Sequence, residues 1–298
     1  MARANLDASD SDLRKGATIA VLSAISYSTA IIFVRYAYRA GISPGTAIFL
    51  RFTIASIVLV GFLILTRHWV KLPRSQVIAL FLLGFLAYTT LGTTWFVALS
   101  TTPAWLVSLT VSIYPLLVSI GSWLFFGDVP DAPRIAALTL VLAGSMALFW
   151  RPFEGVALTG VWLMLFNVVV NAFYVLVGQR WTRGVAPGMS AAWMIMGAMV
   201  GTFFYALLSG QLSFQFESVG WIWASLFAVV STVLAIMFLW WSIGLLGPAR
   251  ATIIGALEPF LSILLAVIIL KETMSPLQVV GGVLILGGVV LVRINLKK

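Results

Sequence analysis

The sequence predicts an all-α integral membrane protein of ten transmembrane helices, arranged as two inverted five-helix repeats. Three observations carry this. The 298 residues are 61% hydrophobic and only 9% charged, with a mean hydropathy of +1.09. A soluble domain carries about 25% charged residues, so this chain cannot clothe a water-facing surface. The apolar residues also come in near-continuous runs of about 20, the length of a spanning helix, without the every-second-residue alternation of barrel strands. Finally, the second half repeats landmarks of the first. Pro115 and Pro259, Asp128 and Glu272, Gly144 and Gly288, and Gly16 and Gly160 each stand 144 residues apart, and Pro44-Gly45 recurs 143 residues on as Pro187-Gly188. The repeats divide the chain into residues 1–150 and 151–298.

The elements follow in order. Residues 1–16 are polar and lack the apolar region of a cleavable signal, so the first helix, 17–37, is expected to direct insertion itself. The second runs over 45–66 and the third over 75–99. The fourth, 103–126, leads through Tyr114-Pro115 to the turn at Gly127-Asp128. The fifth covers 133–150. The second copy repeats the set at 157–178, 188–208, 218–244, 249–270 and 276–293. Pro44, Pro103, Pro133, Pro187, Pro248 and Pro276 fall at or just before helix starts, where the missing N–H was unpaired anyway. Glu258 and Pro259 lie near the middle of the ninth helix, about 13 Å from its start at 1.5 Å per residue. The proline frees the Gly255 carbonyl and predicts a kink there.

Basic residues set the expected orientation. Arg3, Arg14, Lys15, Arg67, Lys71, Arg74, Arg134, Arg180, Arg183, Arg250, Arg293, Lys297 and Lys298 fall on one side. Arg35, Arg39, Arg151 and Lys271 fall on the other, and Arg51 lies within the second span. This bias places both termini in the cytoplasm. Each copy has an odd number of helices, so tandem copies enter the membrane from opposite sides, as in the inverted repeats of many transporters. The formal charge of +9 belongs to this topology rather than to nucleic-acid binding. With no cysteine in the chain there is no disulfide or thiolate metal site. There is no HExxH motif, Walker loop or pair of membrane aspartates, so ATP hydrolysis within the chain is excluded and neither an enzyme nor a cofactor is expected.

Polar groups in a bilayer core are costly and worth locating. Asn167, Asn171 and Tyr174 share one face of the sixth span, and the shift of 144 takes the asparagines to Ser23 and Tyr27 in the first. These stripes either face each other across a cavity or serve as interhelical hydrogen-bonding glue. Trp105, Ser108 and Ser112 lie at helical spacing in the fourth span, Tyr88, Gly92 and Trp95 in the third, and Ser231, Thr232 and Trp240 in the eighth. Trp69, Trp150, Trp181 and Trp221 read as interface anchors. The candidate substrate-binding residues are therefore Tyr27, Tyr88, Trp105, Ser108, Asn167, Asn171 and Tyr174. Glu258 is the one acid well inside a span, a candidate proton carrier or amine contact, or a structural carboxyl paired with a base such as Arg51. Asp128 and Glu272 read as hinge or packing features. Gly281, Gly282, Gly287 and Gly288, with Ala143 and Gly144, would permit close helix approach or a homodimer contact.

Pro44 with Arg51-Phe52, Pro115 followed by Phe126-Gly127-Asp128, and Glu258-Pro259 followed by Lys271-Glu272 together resemble the EamA-type drug/metabolite transporter superfamily over essentially the whole chain. Two positions depart from its pattern. Asp128 stands where glutamate is commoner, and Met194 or Ile195 replaces the second-span arginine in the second copy. The resemblance implies ten helices, cytoplasmic termini and a cavity lined by spans 1, 3, 4, 6, 8 and 9. In character the chain is most similar to the YddG-type amino-acid exporters of bacterial inner membranes. The expectation is a secondary transporter exporting small metabolites, aromatic or apolar amino acids foremost, by alternating access of a central cavity. The alternatives are a carrier of nucleotide sugars or phosphorylated metabolites, which would want Arg or Lys near mid-membrane where the central spans offer none, and a non-transporting membrane sensor or scaffold.

Overall fold

The computed structural model describes residues 10–101, 109–150, 158–271 and 273–295, and every regular element among them is helical. Among the described residues nine helices are long and apolar enough to cross a bilayer, and a shorter apolar helix, Ala132–Leu148, makes the tenth. At 1.5 Å per residue its 17 residues reach about 25 Å, close to the thickness of a hydrocarbon core. Span 1 consists of Asp10–Ser28 and Ala30–Arg39, and span 2 of Pro44–Leu65. Span 3 joins Arg74–Leu83, Gly84–Tyr88 and Thr89–Thr101. Span 4 is described from Leu109 and ends with the helix Tyr114–Phe126. Spans 5, 6 and 7 are Ala132–Leu148, Leu158–Thr182 and Pro187–Leu208. Span 8 joins Val219–Ala228, Val229–Leu234 and Ala235–Leu246. Span 9 joins Pro248–Gly255 and Leu257–Leu270, and span 10 is Pro276–Ile294.

Local chemistry sets the span ends. The Ser43 and Asp131 side chains accept the N–H groups of Thr46 and Arg134, each with proline in the first turn of the helix that follows. Ser275 and Gln278 form a reciprocal capping box ahead of span 10. Gly127 (φ 69°) and Lys271 (φ 61°) close the equivalent spans 4 and 9 in left-handed conformation. Asp128 accepts a hydrogen bond from Arg134 Nη1 at 2.7 Å, which ties the turn to the start of span 5. Its counterpart Glu272 lies outside the described residues.

The contacts map onto themselves when spans 1–5 are exchanged with 6–10. Span 1 packs on span 8 as span 6 packs on span 3, span 2 on 8 as 7 on 3, and span 4 on 6 as 9 on 1. Spans 2 and 7, 4 and 9, and 5 and 10 meet their own counterparts. The relation holds at single atoms. A Cβ on Gly144 would lie 2.6 Å from the Gly281 carbonyl oxygen, and one on Gly288 would lie 2.8 Å from that of Ala137. These two contacts exchange under the shift of 144. Their backbones approach this closely because lipid supplies no hydrophobic drive between helices, and small residues permit contact instead.

The central spans are not regular helices. Span 9 breaks at Ala256 and span 4 at Ser112-Ile113, equivalent positions under the shift. The sequence predicts a proline kink in span 9, and the structure extends it to a full break that places Glu258 in the first turn of the second half. Spans 3 and 8 each contain a π-helical segment, Gly84–Tyr88 and Val229–Leu234, again at overlapping positions of the two copies. Span 1 breaks at Thr29, whereas span 6 is continuous.

Candidate functional site

The irregular segments meet in one polar and aromatic cluster. Arg51 crosses from span 2 to the π-helical segment of span 8, where its Nε donates to Thr232 Oγ1 at 2.7 Å and its Nη2 to the Ser231 carbonyl at 3.1 Å. Thr232 passes its own proton to the Phe227 carbonyl at 3.0 Å, leaving a lone pair for the guanidinium. The rings of Phe227 and Phe52 lie 4.6 and 5.2 Å from the guanidinium carbon. The central spans are expected to offer no basic group of their own, and Arg51, which belongs to span 2, reaches their cluster through its long side chain. The Ser231 hydroxyl meets that of Thr29 at 2.7 Å, joining the break in span 1 to the same segment.

A second chain of groups begins at Tyr88, the last residue of the other π-helical segment. Its hydroxyl lies 3.0 Å from that of Tyr174, which also accepts from Trp240 Nε1 at 3.0 Å and donates to Met194 Sδ at 3.5 Å. The Tyr174 ring packs edge-on against both Tyr88 and Trp240, and the residue is 2% exposed. Tyr27 is partly buried beside Tyr88 and lies within electrostatic reach of Arg51 and Glu258. Tyr114, at the break in span 4, lies within reach of Glu258 as well. Glu258 itself makes no hydrogen bond or ion pair among the described residues and keeps part of its surface accessible.

The polar stripes divide between two uses. Asn167 donates from Nδ2 to the Leu91 carbonyl at 2.9 Å and to Thr94 Oγ1 at 2.7 Å. Ser23 donates to the Ala235 carbonyl at 2.9 Å. Ser23 and Asn167 are equivalent under the shift, and so are their acceptors Ala235 and Leu91. These bonds stitch span 1 to span 8 and span 6 to span 3. Asn171, one turn further along, is half-buried and makes no hydrogen bond among the described residues.

Of the candidates read from the sequence, the structure brings Tyr27, Tyr88, Tyr174, Arg51 and Glu258 to the centre and commits Asn167 to helix packing. Trp105 and Ser108 lie outside the described residues. Trp150 and Trp221 are exposed, and Trp69 packs on Trp193 with ring centroids 5.6 Å apart. Thr29, Phe52 and Phe227 were not singled out for the site. Thr29 had a signal in the polar run Ser26 to Thr29, whereas the two phenylalanines are indistinguishable in sequence from lipid-facing ones. A cavity of about 350 Å³ opens elsewhere, between spans 5, 9 and 10, lined by Leu148, Trp150, Ile263, Ser275 and Gln278 among others. None of its lining residues is charged.

At one end of the bundle, hydrogen bonds join the two copies. Where spans 1 and 2 turn, Ser43 Oγ donates to the Gln211 carbonyl at 2.5 Å and Thr46 Oγ1 to the same carbonyl at 2.7 Å. The Gly45 N–H donates to Gln211 Oε1 at 2.8 Å, and the Glu217 N–H to the Ala40 carbonyl at 3.0 Å. Tyr36 stacks on Trp223 at 4.5 Å beside them.

Comparison with known proteins bears on this arrangement. The family described as the EamA-like transporter family matches the chain twice, over residues 14–150 and 158–294. An uncharacterized transporter of Synechocystis sp. is 27% identical over 179 residues, a match covering 58% of this chain and 53% of that protein. The chain thus spans about half the length of that relative. The uncharacterized transporter YvbV of Bacillus subtilis is 24% identical over 207 residues, covering 67% of each. A crystal structure sharing 19% identity superposes with a TM-score of 0.77 over 93% of this chain and 96% of its own, a likeness of fold.

Proposed function

The chain belongs to the EamA-like transporter family, and on that premise we propose that it exports small metabolites, amino acids with aromatic or apolar side chains foremost, by alternating access of its centre. It acts as a carrier and not as an enzyme, in a bacterial inner membrane with both termini cytoplasmic, the orientation the basic residues favour. The observation that carries the reading is the convergence of broken and π-helical segments from both copies on one polar, aromatic cluster. Irregular backbone at membrane depth is tolerated where it is buried in protein or lines a water-filled cavity, and discontinuous helices at a repeat interface are where carriers hold their substrates. The substrate's side chain would meet Tyr27, Tyr88 and Trp105, with Asn171 as an added polar contact. Selectivity of this kind needs only fit and a few placed hydrogen bonds.

Arg51 favours a second reading, a carrier of nucleotide sugars or phosphorylated metabolites, since a central guanidinium suits an anion. One experiment separates the two. Purified protein in liposomes is offered a panel of radiolabelled amino acids and nucleotide sugars. The first reading expects saturable flux of apolar and aromatic amino acids alone, and the second expects flux of the phosphorylated compounds. Flux of neither would leave a non-transporting membrane sensor or scaffold.

A further inference from the structure

A guanidinium and a carboxyl group lie in the centre of this bundle with no bond between them. Arg51 is held away by its bonds to Thr232 and Ser231 and by the rings of Phe52 and Phe227. That clamp occupies Nε and Nη2, and Nη1 makes no hydrogen bond among the described residues. Glu258 is fixed by the break at Ala256, in the first turn of the second half of span 9. One turn beyond Glu258, Ser262 donates to the Ser28 carbonyl at 3.4 Å, and the adjoining Thr29 meets Ser231, which holds Arg51, so the two groups share one cluster without an ion pair among the described residues. Three phenols belong to the same cluster. Tyr88 packs on Phe52 with ring centroids 5.1 Å apart, a Cβ on Gly255 would lie 3.3 Å from the Tyr114 hydroxyl, and Tyr27 packs against the same core.

Holding an arginine and a glutamate apart at membrane depth is costly, since either side chain, when charged, is desolvated without the other's compensation. A direct ion pair would relieve both, and none is formed among the described residues, where Arg51 is committed to Thr232 and Ser231 instead. What completes such a pair is a ligand carrying the complementary charges on neighbouring atoms. A ligand with a single charge leaves one protein charge unanswered, and a phosphorylated ligand sets its second negative charge against Glu258.

We propose that the site reads the backbone of a free α-amino acid as a zwitterion, with Arg51 Nη1 donating to the α-carboxylate and the Glu258 carboxylate accepting from the α-ammonium. The phenols of Tyr27, Tyr88 and Tyr114 then border the space left for the side chain. This rests on the reading of the chain as an amino-acid carrier and adds the groups that recognise what all its substrates share.

The test is an equilibrium competition on the purified wild-type protein in detergent, using phenylalanine, phenethylamine (no carboxylate) and hydrocinnamate (no ammonium). Hydrogen bonds to charged groups support a preference for phenylalanine of about tenfold or more over either analogue. Arg51→Gln should bring phenylalanine down to the level of phenethylamine, and Glu258→Gln should bring it down to that of hydrocinnamate, with size-exclusion profiles reporting folding. The wild-type panel decides the matter even where a variant fails to fold. Equal binding of phenylalanine and either analogue overturns the zwitterion assignment and leaves amino-acid carriage standing. If the liposome panel shows no amino-acid flux and the competition shows no binding, both fall together.

Discussion

At the scale of single residues, the two asparagines of span 6 separate packing from recognition. Asn167 gives its amide to the Leu91 carbonyl and to Thr94, so Asn167→Leu removes an interhelical bond. Such bonds within membranes average about 0.6 kcal/mol and reach about 1.7. Thermal unfolding in detergent should register a loss in that range, while the KM for transport stays unchanged. Asn171→Ala should do the reverse, raising KM several-fold with little loss of stability, whereas Tyr88→Ala should raise KM and also lower stability, because its ring packs on Phe52 and Tyr174. Kinetics untouched by both would place the substrate elsewhere. Sequence periodicity found the stripe on span 6 but not its division, because spacing gives the face of a helix and not the neighbour it meets. Arg51 is named by the sequence as a base for Glu258, but its actual partners are not, for a related reason. Its Cα belongs to span 2, and only the length of its side chain brings its charge beside Thr232.

At the scale of elements, span ends were legible because proline, serine and aspartate announce them, as at Ser43-Pro44 and Ser275-Pro276. The irregularities inside the spans were legible only at Pro259. The π-helical segment Val229–Leu234 reads as ordinary apolar helix in sequence, since an extra residue per turn needs no special side chain. The crossing of span 3 over span 7 makes its own demand. A Cβ on Gly84 would lie 1.9 Å from the Met194 carbonyl oxygen, whereas one on Gly61 meets nothing within 4 Å. Gly84→Ala should cost about 1–3 kcal/mol of stability through overpacking. Gly61→Ala should be neutral or slightly stabilising, as expected for a free helical position. Paired melting curves in one detergent check this, and equal curves for the two variants would mean that spans 3 and 7 do not cross at Gly84.

At the scale of the whole molecule, the duplication visible at a spacing of 144 residues appears as contacts that survive exchange of the two halves. Two departures from that symmetry matter for function. Span 1 breaks where span 6 runs on, and Arg51 has no basic counterpart in the second copy, where Met194 and Ile195 stand. The copies thus share a framework while only the first contributes a central arginine. On the proposed alternating access, the hydrogen-bonded Ser43–Gln211 end would be one state of the cycle. Movement at that end can be blocked directly. A Cβ on Gly45 would lie 2.7 Å from that of Gln211, close enough for a disulfide after a small adjustment, and the chain has no cysteine of its own to interfere. The Gly45→Cys/Gln211→Cys double variant, reconstituted in liposomes and oxidised, should lose at least about nine-tenths of its flux and regain it on reduction, as expected if each cycle opens that end. Full flux while thiol labelling shows the cross-link complete would contradict alternating access through this end of the bundle.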